Sequence, residues 1–236
     1  MNGHHTMIEL LDPINIDSFA YDGGHLNRIR QFSLLPNHRI GWNYCMDYSW
    51  IAMKCSNIEM KSCMRIIDIG CGPGAIHGYL EDTYGLEIIG IDLHRWEKDY
   101  VDIMGDFTDS QSWNKHGFKS NSVDIILSTS AFEHNCPPDH KRLVEICMNS
   151  LRPGGHLLAT FAVAPATIET PGQWNLSREH AEEFYGERFY CFDYQGCWQR
   201  WKEHREIPSG YRERYGKWSA DDPPFLSAGA HIVKFF

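Results

Sequence analysis

The sequence predicts an α/β fold, a doubly wound and mostly parallel sheet with helices on both faces. Three observations carry this. Short runs rich in β-branched residues recur at 65–69, 86–93, 101–107, 122–127 and 157–162. Spacers long enough for a helix and a return loop follow the first and fourth of these runs, as parallel crossovers require. The first run passes directly into a glycine-rich turn, Gly70-Cys71-Gly72-Pro73-Gly74. With 236 residues and 42% hydrophobic composition, one substantial core is the economical expectation.

Ahead of the first run, the stretch 39–56 places Trp42, Tyr44, Tyr48 and Trp50 at near-helical offsets. Aromatics so spaced form the inner face of a helix. Gly23 and Gly24, further upstream, offer a hinge for it. The run 65–69 is short and apolar, which suits a strand buried on both faces. Gly70, Gly72 and Gly74 then let the backbone turn with φ > 0 and let a ligand approach closely, and 75–80 reads as the following helix. A strand, a glycine turn and a helix N-terminus suit a nucleotide-like ligand whose contacts include free amides. Asp68, at the end of the strand, supplies a carboxylate for a cation or a donor in that ligand.

The second strand ends in Asp92, eighteen residues after Gly74. A βαβ unit returns that carboxylate to the edge of the glycine loop, where it can accept hydrogen bonds from ribose hydroxyls. The third, weaker run closes in Gly105-Asp106-Phe107, where a carboxylate and an adjoining amide can hold an adenine ring. The fourth strand switches from apolar residues to Ser128, Thr129, Ser130, Ala131, Phe132, Glu133 and His134. Ligands of open α/β sheets bind beyond the carboxyl ends of the strands, so function is expected at that switch. His134 is the first candidate for a general base and Glu133 the second. A structural role, bonding to the next loop, competes for both. A helix at 139–150, a Pro153-Gly154-Gly155 turn and a fifth strand at 157–162 complete the core, and a helix capped by Ser177 follows.

The acidic residue, one apolar residue and GxGxG at 68–74 resemble the first motif of the class I S-adenosylmethionine-dependent methyltransferases. In order, DIGCGPG, IIGID, GDF, DIILSTSAFEH and LRPGGHLL extend the resemblance over 66–161, and it is similar to the small methyltransferases whose fourth strand ends in an EH pair. The resemblance implies a Rossmann-like sheet with a last strand, 230–236, inserted antiparallel, and S-adenosylmethionine as cofactor. It implies cofactor contacts from Asp68, Gly70, Cys71, Gly72, Gly74, Asp92, Leu93, Asp106, Phe107 and Ser128. It also implies a helical lid within 1–60 over a catalytic domain at 61–236, with an insertion at about 190–224. A nicotinamide-dependent oxidoreductase is the competing reading, and the GxGxG spacing with the Pro-Gly-Gly turn favours the methyl donor. A cofactor-binding protein without turnover is a third.

The formal charge of −9 argues against broad capture of a phosphate backbone, so no nucleic-acid partner is expected. No apolar run of about 18 residues indicates a membrane span, and the polar start lacks a signal peptide's pattern, so a cytoplasmic protein is expected. Eight cysteines without a CxxC pair predict reduced thiols and no metal site. Within 196–217, Arg200, Lys202, Arg205, Arg212, Arg214 and Lys217 outnumber Glu203, Glu206 and Glu213. That local excess, beside Trp198, Trp201, Tyr211, Tyr215 and Trp218, suits a small anionic or sugar-derived acceptor. A solvated helix face or a partner surface fits the same charges. The methylated atom and the oligomeric state stay open.

Overall fold

The computed structural model describes residues 7–12, 25–34, 42–95, 100–203 and 225–235. The chain opens with β1 (Met7–Leu10), α1 (His25–Gln31) and α2 (Trp42–Ser56). The glycine region follows as β2 (Ile66–Ile69), α3 (Ile76–Tyr84), β3 (Ile88–Asp92), β4 (Ile103–Met104) and α4 (Ser110–Lys115). Next come β5 (Val123–Thr129), a 3-10 turn (Phe132–His134), α5 (Pro137–Ser150) and β6 (Leu151–Val163). The hairpin β7 (Ile168–Thr170) and β8 (Gln173–Asn175), α6 (Arg178–Tyr185), α7 (Tyr194–Glu203) and β9 (Leu226–Val233) close the order.

Seven strands form one sheet in the order β1-β9-β6-β5-β2-β3-β4. β6, β5, β2, β3 and β4 pair in parallel, while β9 runs antiparallel between β6 and β1. Every residue of β2 and β5 is buried, as continuous apolar central strands require when both faces are covered. The order reverses between β2 and β5, so the crevice for a ligand opens there.

The last strand is antiparallel as the resemblance implied, but it starts at Leu226 and is not an edge strand. The edge beside it belongs to β1, a strand within the stretch read as a helical lid. The third run shrinks to a two-residue strand because Asp102 turns its carboxylate back to accept from the Gly90 amide at 2.9 Å. α5 begins two residues before its expected start, with proline in the first turn, where a missing N–H costs nothing. Ser177 caps α6 by accepting from the His180 amide at 3.3 Å.

α2 lies directly on the sheet. A Cβ added to Gly229 of β9 would come within 2.5 Å of the Trp50 ring, so glycine there is what admits the helix. Trp50 is buried and donates its indole N–H to Glu9 at 2.7 Å, and Lys54 pairs with the same carboxylate at 2.6 Å. The described cysteines are free thiols, and no described helix is long and apolar enough to cross a membrane.

Candidate functional site

A cavity of about 560 Å³ opens at the carboxyl ends of β2, β3 and β5, walled by the glycine loop, Asp68, Asp92, Asp106, Tyr48 and His134 among others. Of the residues expected from sequence, Asp68, Gly70, Cys71, Gly72, Gly74, Asp92, Leu93, Asp106, Phe107 and His134 all reach this wall. The described wall residues include three aspartates, His94 and His134, and no lysine or arginine. Such a surface suits a cationic ligand.

The glycines act differently from the amide cradle expected. Gly70 and Cys71 donate their amides to the Ile91 carbonyl at 2.7 and 3.2 Å, and Gly72 donates to the Asp92 carboxylate at 3.0 Å. These amides are therefore spent on the loop, and the glycines chiefly remove side chains from it. Gly70 sits at φ +71, and a Cβ on it would lie 2.2 Å from the Ala131 Cβ. Gly70→Ala combines a left-handed backbone with an overlap that only a backbone shift relieves. A loss of about 1–3 kcal/mol in unfolding free energy is expected, with weakened cofactor binding, measured by denaturant titration and calorimetry. An alanine variant as stable as the parent would contradict this reading of the turn.

Asp92 is braced on both oxygens, by the Gly72 amide and by the His94 amide, each at 3.0 Å. Asp106 accepts from the Thr108 amide and hydroxyl at 2.9 and 2.7 Å, which fixes its carboxylate at the cavity mouth. Phe107 packs edge-on against Trp113, whose indole N–H donates to the Phe107 carbonyl at 2.8 Å. Leu93 is half exposed at the rim. Tyr44 and Tyr48 stack with centroids 5.7 Å apart and close the wall from α2. The aromatics of that helix thus divide between core, at Trp50, and cavity; the Trp42 side chain lies outside the described ones.

Two expected site residues do not reach the wall. Ser128 is fully buried inside β5, and its hydroxyl has no hydrogen-bond partner. Successive strand residues face opposite ways, which turns Ser128 from the side that Thr129 presents to the cavity. Glu133 is buried behind the wall, where it cannot touch a reacting atom as a base must. Burial pushes its carboxyl up to about 8, against the lowering effect of its own backbone amide. His134 does line the cavity, with Nδ1 2.6 Å from the Gly172 carbonyl of the β7–β8 hairpin. The bond to a neighbouring loop weighed against its catalytic role is therefore present.

Asp47, Gly90 and His77, behind the wall, carried no functional reading in sequence. Ser130 adopts φ 48 and donates its hydroxyl to Asp47 of α2 at 2.6 Å. Gly90 carries the Tyr100 carbonyl across β3, where an added Cβ would sit 1.8 Å from that oxygen. A lone glycine inside a strand is the one signal that marks such a close approach in advance. His77 lies under the loop beside Asp68. The basic segment lies mostly outside the described residues; its described member Arg200 bonds Asp12 at 2.7 Å and Asp193 at 3.5 Å. Trp201, Tyr211, Tyr215 and Trp218 also fall outside the described side chains, as do Gly23 and Gly24.

A reversed-order parallel sheet, an acidic cavity at the reversal and a glycine loop on its wall define a class I methyltransferase fold. Comparison with known proteins agrees. Residues 67–159 match the family described as "Methyltransferase domain". Cyclopropane-fatty-acyl-phospholipid synthase of Escherichia coli (strain K12) is 23% identical over 247 residues, covering 90% of this chain. This chain spans 58% of that relative's length. Phosphoethanolamine N-methyltransferase 2 of Haemonchus contortus, solved with S-adenosyl-L-methionine, superposes with a TM-score of 0.55 at 17% identity, over 94% of this chain and 60% of its own. Geranyl diphosphate C-methyltransferase of Streptomyces coelicolor A3(2) superposes with a TM-score of 0.56 at 12% identity, over 98% and 89%. Residues 67–159 are thus similar to a methyltransferase domain, carried on the fold of the class I S-adenosylmethionine-dependent methyltransferases.

Proposed function

We propose that the chain transfers the methyl group of S-adenosylmethionine to an oxygen, nitrogen or carbon atom of a small molecule bound between the glycine loop and His134. The observation that carries this is the convergence of Asp68, Asp92 and Asp106 with His134 on one cavity wall. The residues fit the cofactor: the glycine loop leaves space a Cβ would fill, and Asp68 Oδ2 is buried without a hydrogen-bond partner. Asp68 would hold the ammonium group, Asp92 the ribose hydroxyls, and Asp106 with the Phe107 amide the adenine. When bound, the cofactor supplies an activated methyl and its own leaving group, so the protein's tasks are alignment and exclusion of water.

α2 serves as part of a cap at 1–60, with Tyr44 and Tyr48 as its inner face, over a catalytic domain at 61–236. His134 accepts the acceptor's proton where one must leave. An anionic or sugar-derived acceptor would draw on Arg205, Arg212, Arg214 and Lys217, which lie outside the described residues.

Calorimetry with S-adenosylmethionine and S-adenosylhomocysteine tests the assignment. Asp92→Ala is expected to weaken both by about 1.5–3 kcal/mol per charge-assisted bond lost. Asp92→Asn, which keeps an oxygen to accept from the Gly72 amide, separates the loop's brace from the ligand's contacts. Unchanged affinity in Asp92→Ala removes that residue from the site, and preference for a nicotinamide cofactor defeats the whole reading.

A further inference from the structure

His77 occupies the first turn of α3, with its side chain 3% exposed. Its Nδ1 lies 3.4 Å from Asp68 Oδ2, and its Nε2 lies 3.6 Å from Glu81 Oε1. The ring stacks on Tyr100 at 4.7 Å between centroids and 16° between planes. Tyr100 is itself pinned, donating its hydroxyl to the Phe32 carbonyl at 2.8 Å. Glu81 accepts from the Ile88 amide at 3.1 Å and Asp102 from the Gly90 amide at 2.9 Å, so the carboxylates around the imidazole are held in place. Asp68 Oδ2 and His77 Nδ1 are ion-paired by distance, yet neither completes a hydrogen bond. The Asp68 carboxylate is thus left incompletely satisfied, at the cavity wall.

We propose that His77 is a positioning residue for cofactor capture: as an imidazolium it holds the Asp68 carboxylate toward the cavity, and it releases its proton to solvent when the cofactor's ammonium group docks there. This rests on Asp68 being the ammonium's acceptor. Two cations then share one buried carboxylate, and the one that can shed its charge is the imidazolium. Burial pulls the His77 proton affinity down, but the neighbouring Asp68 carboxylate, then the charges of Glu81 and Asp102, carry it above the ordinary histidine value. The groups facing the ring are Asp68 from β2, Glu81 from its own helix, Asp102 beside β4 and the Tyr100 phenol. The free protein therefore holds that proton more tightly than an ordinary histidine does, and binding removes it. By linkage, affinity rises with pH through the free-state titration of His77, by up to about tenfold per pH unit for one proton released.

The test is calorimetry with S-adenosylhomocysteine near neutral pH in phosphate and in Tris, whose ionisation enthalpies differ. The parent protein should release a large fraction of a proton, and His77→Gln should release much less while its affinity loses most of its pH dependence. 5′-Methylthioadenosine, which lacks the ammonium group, should bind the parent without that release. Independently of any variant, histidine-labelled parent protein followed by NMR should show one buried imidazole whose pKa falls on adding S-adenosylhomocysteine. If Asp68→Asn binds as tightly as the parent, the Asp68 reading itself fails. If Asp68→Asn binds weakly but proton release persists in His77→Gln, or no imidazole pKa falls, the role of His77 is overturned and that of Asp68 stands.

Discussion

Replacing His134 with alanine is expected to lower methyl-transfer turnover by about 10²–10⁴-fold while leaving cofactor affinity unchanged. The side chain sits on the cavity wall with Nδ1 2.6 Å from the Gly172 carbonyl. A carbonyl can only accept, so Nδ1 carries the hydrogen, and the lone pair of the neutral ring lies on Nε2. That division is what a general base oriented by a second group requires. The orienting carbonyl is itself held, because the hairpin is closed by Asn175, whose amide donates to the Thr170 hydroxyl at 3.1 Å. His134→Asn separates the two roles. It can still donate toward Gly172 and so anchor the hairpin, but it has no basic nitrogen. Turnover should stay low in His134→Asn even where thermal stability matches the parent. Full turnover in either variant would make His134 a hairpin anchor and favour an acceptor that needs no deprotonation.

The parts of the site legible in sequence are those set by short-range rules. A strand-glycine-helix pattern is contiguous, and the interval from Gly74 to Asp92 leaves room for little besides one helix and a return, so the topology brings both to one edge. What the pattern hides is where each backbone hydrogen bond goes. The capture of two loop amides by the Ile91 carbonyl is a tertiary event with no local sign. Side-chain direction beyond β5 fails for a similar reason. Ser130 takes φ 48, which breaks the strand's alternation and brings Thr129 and Ser130 together onto the wall, while Ser128 and Glu133 turn inward. β1 was hidden because its partner β9 lies at the other end of the chain, and a four-residue strand carries too little periodicity to declare itself.

The largest stability effect is expected from the carboxyls of Asp47 and Glu133, both buried behind the wall that Ser130 presents to the cavity. Ser130 donates to Asp47 at 2.6 Å, so its one hydroxyl proton is committed and its oxygen is left to accept from a protonated Glu133. Among the described residues neither carboxyl has an ion-pair partner. Burial raises Asp47 to about 7, opposed by the Ser130 hydroxyl and reinforced by the charge of Glu133, and burial raises Glu133 to about 8. Unfolded aspartate and glutamate titrate near pH 4, so between roughly pH 4 and 8 the folded state binds more protons than the unfolded one. Stability is therefore greatest below the unfolded pKa values and is lost as pH rises through about 7 and 8. Glu133→Gln fixes the neutral form in nearly the same shape, with an amide that can donate to Ser130 in place of the carboxylic proton. It should exceed the parent by roughly 2–4 kcal/mol at pH 8.5 and differ little at pH 5. Because the pair joins α2 to the end of β5, the parent's alkaline loss should also loosen the Tyr44 and Tyr48 wall and weaken cofactor binding, and the glutamine variant should resist this. Denaturant unfolding of both proteins from pH 5 to 8.5 decides the matter: a parent whose stability holds level over that range, or a variant with the same slope, would mean that these carboxyls are not held neutral by the fold.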